Sequence, residues 1–543
     1  MSKGDQKTMR EDSLVHILAY DIGTTGTKTC LFEISDKLKL LHSSSAEYEL
    51  SVLENGGVEQ DANEWWKAMC DTTRRLFSET GFDSEKISGI SFCSQMQGLV
   101  LVDTQLKPLR PAMSYMDQRA KEEMRLGIKT GIKIEGLNAF KLLRSLQITG
   151  AVAGSVKDPL WKYKWVQAKE PELFRKVHKW LDVKEYVIAR STGKAVMTAD
   201  SAFATFLFDS RPGKGRWHKG LCRMFGVRFE HLPEIVSSTD KVGELLPLAA
   251  SELGLKQGIP VFGGGGDASL IGIGAGAVEE GDTHIYSGTS GWVSTVTRKR
   301  KVDINSRIAS IVGARPEHYN YFGEQETSGK CLQWVKDHLA LDEIDVYLEK
   351  RNVTEGADAV HESLFAFLLE SIKETPAGSD GVIFTPWLHG NRCPFEDPLA
   401  KGMFFNIGLN TGKRKLIRAV IEGIAFHKRW ILELSEKNIP SSKTIRFVGG
   451  VARSSIVCQI LADITGRIIE TTEHPQNAGA TGAAAIAALG LGKIASFKDI
   501  PNLISVKDRW LPNPANKAVY QKNFEVFREL YRSNQRHFAH LNG

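Results

Sequence analysis

Four turns rich in glycine, serine and threonine limit the folds that this chain can adopt. They lie at residues 21–28, 263–269, 287–291 and 449–454, and each follows an apolar run that predicts a β-strand. The first and third turns lead into a second strand, which predicts hairpins, whereas the other two lead into helical patterns. The same alternation in both halves predicts an α/β fold with two similar domains and a cleft between them.

The length of 543 residues also favours two large domains, because one ordinary hydrophobic core does not extend over so long a chain. We expect a polar leader at 1–13, an N-terminal domain at 14–260, a C-terminal domain at 261–510 and a helical tail at 511–543. Phe524, Phe527 and Tyr531 share one helix face of the tail. We therefore expect the tail to pack on the body of the protein.

Charge and composition argue against several classes of protein. The net charge of +6 is spread along the chain without basic and aromatic runs, so no nucleic-acid partner is expected. The most apolar tract, 478–492, is too short to span a bilayer, and the polar start lacks the apolar core of a secretory signal. Seven scattered cysteines without a CxxC spacing predict reduced, mostly buried thiols. These features predict a cytoplasmic protein with no membrane partner.

The four turns could bind phosphate groups. Glycine lets backbone N–H groups approach an anion closely, and a helix that starts after the turn adds further N–H donors. Any one such turn is more often only structural, but four of them, two carrying Asp21 or Asp267, form a stronger signal. The first is not a P-loop, because Thr27 separates Gly26 from Lys28. A nucleotide would therefore be held by a different fold.

A series of motifs connects the turns into one pattern between about residues 14 and 510. In chain order they are DIGTTGTK, GVEQDANEWW, QMQG, PLRPAMSYMDQRA, GGGGDAS, YSGTSGW, PWLHGNRCPFEDPLAKG, RAVIEG and FVGGVARSSIVCQILADITG. This order resembles that of the FGGY carbohydrate kinases, and within them the xylulokinase branch. The resemblance implies a two-domain actin-like ATPase fold with ribonuclease-H-like cores, in which an interdomain cleft closes on ATP and a sugar.

The resemblance also implies roles for single residues. Asp21 would organise Mg²⁺, and Asp267 would accept the proton of the attacking hydroxyl group. The residues expected to contact ATP are Gly23, Thr24, Thr25, Lys28, Gly288, Thr289, Gly449, Gly450 and Ala452. Those expected to contact the sugar are Gln95, Met96, Gln97, Asp117 and Asp267. Without the resemblance, Asp267 reads equally well as a helix N-cap, and Asp117 with Arg119 as a surface salt bridge.

The sequence does not fix which sugar or polyol accepts the phosphoryl group. Gln97 stands where the xylulokinase branch usually has His, and Tyr115 and Met116 replace its usual Trp-Asn pair. We expect phosphorylation of a ketopentose such as D-xylulose, with another pentulose, a polyol or a linear sugar-like signal as alternatives. An actin-like or chaperone-like ATPase without a sugar substrate is the alternative from another class, and a homodimer is a further expected partner.

Overall fold

The structure, a computed structural model, describes residues 14–339 and 367–543, so the leader predicted at 1–13 lies outside the described residues. A first sheet is built mainly from the N-terminal half of the chain. Its strands, in spatial order, are Lys241–Glu244, Pro260–Phe262, Ile87–Ser94, Val15–Ile22, Gly26–Ile34 and Leu38–Glu47, and Gly265–Gly266 also pairs with Ile87–Ser94.

A second sheet lies in the C-terminal half. Its strands, in spatial order, are Val302–Asp303, Ile308–Val312, Tyr319–Gln325, Gly291–Thr297, Thr283–Ser287, Thr444–Val448, Ile468–Thr472 and Val506–Trp510. In both sheets, the first strand of an antiparallel hairpin also pairs in parallel with a later strand of the chain. The two halves thus share one arrangement, which confirms the predicted two-domain α/β fold.

Helices and short strands complete the architecture. The described helices are Ala62–Thr80, Lys121–Ile128, Ala139–Thr149, Pro159–Lys169, Pro171–Phe174, Val183–Thr192, Ala199–Ala204, Lys219–Phe225, Pro247–Leu253, Asp267–Gly274, Gly329–Leu339, Lys413–Glu436, Ser455–Thr465, Ala478–Gly490, Ile500–Leu503 and Lys517–Asn542. The remaining strands are Ser51–Val52, Val58–Gln60, Val100–Val102, Ala112–Met113, Lys133–Ile134, Leu137–Asn138, Lys179–Leu181, Val196–Thr198, Phe208–Asp209, Arg216–Trp217, Glu234–Val236, Ile383–Thr385 and Met403–Phe405. Within the described ranges, none of the helices has the length and apolar character needed to cross a bilayer.

A pair of small-residue helices joins the two halves. A Cβ atom on Gly274 would lie 1.9 Å from the Ala478 carbonyl, and one on Gly482 would lie 2.1 Å from the Leu270 carbonyl. Only glycine permits this close crossing of the helices Asp267–Gly274 and Ala478–Gly490. The second helix also packs on the first sheet, so residues late in the chain belong to the core of the first sheet. The domain bounds expected from the sequence stay a prediction.

The C-terminal helix packs on the second sheet's core. Phe524, Phe527 and Tyr531 are all buried there, as their spacing predicts. Burial of such side chains contributes about 1.5–3 kcal/mol each. The tail is thus part of the body, and the prediction made for it is confirmed.

Candidate active site

Asp21 and Asp267 lie at neighbouring strand ends of the first sheet. Asp21 pairs in register with Cys93 on the parallel strand, and Gly265 pairs with Cys93 from the other side. Asp267 follows two residues after Gly265, at the first position of its helix. Because the carboxyl ends of parallel strands share one edge of the sheet, the two carboxylates lie on the same side of the fold.

The protein raises the affinity of Asp267 for protons. Burial raises the pKa of this carboxyl group to about 7, and the negative charges of Asp21, Glu324 and Asp200 act in the same direction. The Ala268 N–H donates to Oδ1 over 2.7 Å and partly offsets the increase. A carboxylate with a pKa near 7 is suited to accept a proton at neutral pH.

Asp200 holds the glycine run in front of Asp267. Its buried carboxylate accepts a hydrogen bond of 2.8 Å from the Gly266 N–H, and Thr198 donates a second hydrogen bond to it. Gly266, and not Asp267, occupies the N-cap position of the helix. The alternative interpretation of Asp267 as an N-cap is therefore wrong. Its Oδ2 atom is not used to cap the helix.

Asp21 is partly exposed and sits beside a cation. Burial raises its pKa, whereas the ammonium group of Lys28, its cross-strand neighbour, lowers it. No group of three His, Cys, Asp or Glu side chains within the described ranges could hold a metal ion by itself. Mg²⁺ is often held by one or two carboxylates together with phosphate oxygens, and a partly exposed Asp21 fits that mode of binding.

The turns at 21–28 and 449–454 meet just before the helix Ala478–Gly490. The Pro475 carbonyl accepts a hydrogen bond of 2.8 Å from the Gly449 N–H. The next carbonyl, that of Gln476, accepts one of 3.0 Å from Lys28 Nζ. The first and last turns are thus tied to adjacent residues, and the Lys28 ammonium is directed at a backbone carbonyl.

The first turn is a tight hairpin. The Gly23 N–H donates to the Gly26 carbonyl over 2.9 Å, and a Cβ on Gly26 would lie 2.8 Å from the Ala46 carbonyl. Thr25 at its tip is exposed. The tip is therefore free to contact a ligand, while its base is fixed by packing.

The turns at 287–291 and 449–454 lie side by side. Gly449 adopts a φ of 103°, and a Cβ on it would lie 2.3 Å from the Ser287 carbonyl. Thr289 and Gly450, the residues at the ends of these two turns, are exposed, whereas Ala452 is buried. The Gly288 N–H donates to the Ser290 carbonyl over 3.0 Å, and the Gly449 N–H donates to the Pro475 carbonyl. The exposed Thr289 and Gly450 are therefore the parts of these turns that are available to an anion.

The turn at 287–291 also faces the two aspartates. Tyr286 precedes it, and burial together with the charges of Asp21 and Asp267 raises the pKa of its hydroxyl. A Cβ on Gly288 would lie 2.1 Å from that hydroxyl, so Gly288 lies directly against Tyr286. The structure thus brings residues of both halves together around Asp21 and Asp267.

The residues Gln95, Met96 and Gln97 lie next to this carboxylate pair. The Gln95 N–H donates to the Ile22 carbonyl over 2.8 Å, one residue after Asp21. The Met96 side chain packs against Gly266, where a Cβ would lie 2.2 Å from its sulfur. The side-chain oxygen of Gln95 is buried and has no hydrogen-bond partner within the described ranges. An unpaired buried acceptor at this place suits a hydroxyl donor from a ligand.

A second glutamine links this segment to the first turn. The Gln95 side chain donates to Gln60 Oε1 over 2.9 Å, and Gln60 donates to the Thr24 carbonyl over 2.7 Å. The predicted sugar and phosphate regions are therefore joined by one chain of hydrogen bonds.

Asp117 has a different environment from the one that its predicted role suggests. Its side chain is fully buried, accepting from the Val58 N–H at 2.8 Å and from Arg119 Nη2 at 2.7 Å. The Arg119 side chain is only 4% exposed and also pairs with Glu59. The alternative of a surface salt bridge is wrong, because the pair is buried. The contact between Asp117 and a sugar stays a prediction.

Four charged residues at this site received no role in the sequence analysis. Glu324 pairs with Arg392 at 3.0 Å, and Lys157 pairs with Glu326 at 3.3 Å, which connects the two halves. Tyr115 lies close enough for the charges of Asp267 and both glutamates to raise the pKa of its hydroxyl, although burial is the main cause. The i and i+2 spacing of Glu324 and Glu326, at the end of the strand Tyr319–Gln325 and directly after it, was the available signal, because alternate residues of an extended segment share one face.

Comparison with known proteins gives a consistent result. Two family models match the chain in order: the N-terminal domain of the FGGY family of carbohydrate kinases over residues 16–274, and the C-terminal domain of the same family over residues 284–491. A xylulose kinase of Bacillus subtilis is 27% identical over 518 residues, which cover 95% of this chain and 96% of the relative. A gluconokinase of the same species is 28% identical over 519 residues, with the same coverage.

Solved structures show the same two activities among similar proteins. The ligand-bound xylulose kinase from Lactobacillus acidophilus superposes with a TM-score of 0.80 at 26% identity, covering 96% of this chain and 98% of that one. The gluconate kinase from the same organism gives a TM-score of 0.79 at 26% identity, with equal coverage.

Proposed function

Because the chain belongs to the FGGY family of carbohydrate kinases, we propose that this enzyme transfers the terminal phosphoryl group of ATP to a hydroxyl group of a ketopentose such as D-xylulose. The observation that carries the proposal is the position of Asp267. It lies beside Asp21, against the Gln95–Gln97 segment and facing the turn after Tyr286, with a pKa raised to about 7. That position suits a base between a sugar and a triphosphate.

The residues around Asp267 divide the work of the reaction. Phosphoryl transfer needs an in-line arrangement and stabilisation of charge rather than covalent help from the protein. Asp267 would accept the proton of the attacking hydroxyl, while N–H groups and hydroxyls at Thr25 and Thr289 would bind phosphate oxygens. Mg²⁺, when bound near Asp21, would neutralise charge on those oxygens.

The sugar would be oriented by the segment before Gly98. The unpaired Gln95 oxygen would accept from a sugar hydroxyl. The Gln97 side chain is only partly buried, which leaves its amide available for a second contact. Lys157 and Glu326 would help keep the two halves together, so that water is excluded from the transfer.

An open-chain sugar acid such as gluconate is the second candidate acceptor. The Bacillus subtilis gluconokinase is as similar to this chain as the xylulose kinase is. Gln97 and Tyr115 also replace residues that are usual in the xylulokinase branch, and both positions border the proposed pocket. The expected cytoplasmic location and homodimer stay predictions.

The proposal is tested by coupled ADP release over a panel of acceptors. The panel contains D-xylulose, D-ribulose, erythritol and D-gluconate, each at several concentrations with ATP and Mg²⁺. D-xylulose is expected to give the highest kcat/KM, and highest activity with gluconate would support the second candidate. If no acceptor raised ATP turnover above its basal rate, the proposed function would be wrong.

A further inference from the structure

The peptide group between Gln97 and Gly98 is held at both of its polar atoms by buried charged side chains. Lys162 Nζ donates to the Gln97 carbonyl over 2.7 Å, and the Gly98 N–H donates to Asp182 Oδ1 over 2.9 Å. These side chains come from separate parts of the chain, one within the helix Pro159–Lys169 and one directly before the helix Val183–Thr192. Two elements therefore fix the plane of one peptide group.

Lys162 occupies an environment that is unfavourable for a lysine. Its side chain is 0% exposed, and no carboxylate of the described residues lies within 4.0 Å of its Nζ. Burial lowers the pKa of its ammonium group to about 8, although the negative charges of Asp117, Asp182 and Asp158 act against this change. Burying an ammonium group without a direct ion pair costs free energy. The hydrogen bond that Lys162 donates to the Gln97 carbonyl partly offsets this cost and fixes the position of that carbonyl.

Asp182 accepts the hydrogen bond from the N–H group of the same peptide, and it packs closely against Gly98. The oxygen that accepts from Gly98 also accepts from the Val183 N–H at 2.8 Å, at the N-terminus of its helix. A Cβ at position 98 would lie 2.7 Å from this oxygen. Glycine is thus required there for the carboxylate to reach the backbone.

Lys162 and Asp182 together form a clamp on the Gln97–Gly98 peptide. This clamp acts on a residue with an unfavourable backbone conformation. Gln97 has a φ of 64°, in the left-handed region that few residues other than glycine adopt. Such a conformation persists only when its surroundings determine it. Because the clamp fixes the peptide that follows Gln97, it also fixes the direction in which the Gln97 side chain leaves the turn.

We propose that Lys162 and Asp182 are positioning residues for the acceptor, which hold Gln97 in the orientation that binds the sugar beside Asp267. The inference rests on the proposed function in that it assigns the sugar to this turn. Neither residue touches the acceptor; both act through the Gln97–Gly98 peptide.

Kinetics of Lys162→Met test the proposal. The substitution keeps an unbranched side chain of similar size and removes the donor, so the KM for the acceptor is expected to rise about tenfold, while the KM for ATP stays within about twofold of that of the unchanged enzyme. Lys164→Met is the matched control, because Lys164 lies on the same helix and donates to the Gly226 carbonyl at 3.3 Å, away from the turn. It is expected to change neither KM.

A double-mutant cycle shows whether Lys162 acts through Gln97. In a Gln97→Gly background, which removes the side chain and relieves the left-handed strain, Lys162→Met is expected to change the acceptor KM by less than about twofold. Equal tenfold effects in both backgrounds, or equal rises in the KM for ATP and for the acceptor, would overturn the proposal. If Lys162→Met does not fold, Asp182→Ala is expected to raise the acceptor KM more than Asp182→Asn, which keeps the accepting oxygen; equal effects would overturn it.

Amide hydrogen exchange of the full chain, followed by mass spectrometry, tests the clamp without any sugar. Lys162→Met is expected to speed exchange in peptides that contain residues 96–98, and Lys164→Met is not. Unchanged exchange would overturn the clamp. Faster exchange in a protein that phosphorylates no acceptor of the panel would show instead that the clamp is real and that the proposed function is wrong.

Discussion

Replacing Asp267 with Asn should abolish the pH dependence that the structure assigns to the transfer. With a pKa of about 7, the unchanged carboxylate is ionised in roughly one tenth of molecules at pH 6 and in roughly nine tenths at pH 8. The kcat/KM for the acceptor should therefore rise about tenfold between these pH values. Asn cannot accept the proton, so transfer should fall by about 10²–10⁴-fold and lose this pH dependence.

The same substitution should have the opposite effect on stability. Because the pKa of Asp267 is raised from 3.8 to about 7 in the folded protein, folding favours the protonated form, and the unchanged protein loses stability as pH rises from about 4 to 7. Asn does not ionise and escapes this loss. The melting temperature of Asp267→Asn should thus match that of the unchanged protein near pH 4 and exceed it at pH 8 by about 2 °C or more.

Two measurements on one pair of proteins check the reasoning. Coupled ADP release gives kcat/KM from pH 5.5 to 9, and thermal denaturation in the absence of ligands gives the melting temperature over the same range and down to pH 4. ATP binding by Asp267→Asn, measured by calorimetry, is the control for an intact nucleotide site. Transfer within about threefold of the unchanged enzyme, or a pH profile that the substitution does not alter, would remove Asp267 from the role of base.

Three further substitutions probe other parts of the fold. Asp21→Asn should lower kcat by about 100-fold and raise the Mg²⁺ concentration needed for half-maximal rate, whereas an unchanged Mg²⁺ dependence would contradict its assignment to the metal. Gly449→Ala should raise the KM for ATP about tenfold and leave the KM for the acceptor unchanged, because the new Cβ would meet the Ser287 carbonyl at 2.3 Å and φ is 103°. Phe527→Ala, at a fully buried site beside Trp387, should reduce the free energy of unfolding in urea by about 3–5 kcal/mol, and a loss below about 1 kcal/mol would show that the tail packs loosely.

Local patterns predicted much of this fold. The strand that carries Asp21, the hairpin after Tyr286 and the glycine run before Asp267 are each visible within a short window, because alternation and turn residues act over a few positions. The aromatic face of the tail was visible for the same reason. The family resemblance then connected these pieces into one site.

Contacts between distant residues could not be predicted in this way. Lys162 and Gln97 are 65 positions apart, and Asp200 and Gly266 are 66 apart, so no spacing in the sequence announces either hydrogen bond. The tract 478–492 is a similar case. Its sequence showed only that it is too short to span a bilayer, and it did not show what its small residues pack against. Their use, a close helix crossing at Gly482, depends on the partner helix.

The ratio of phosphorylated acceptor to ADP tests the central claim most directly. The purified enzyme is incubated with ATP, Mg²⁺ and the best acceptor of the panel, and both products are quantified by mass spectrometry, with Asp267→Asn as the matched control. We predict one phosphorylated acceptor for each ADP from the unchanged enzyme and almost no phosphorylated acceptor from the variant. ADP formed without phosphorylated acceptor would show an ATPase and contradict the account.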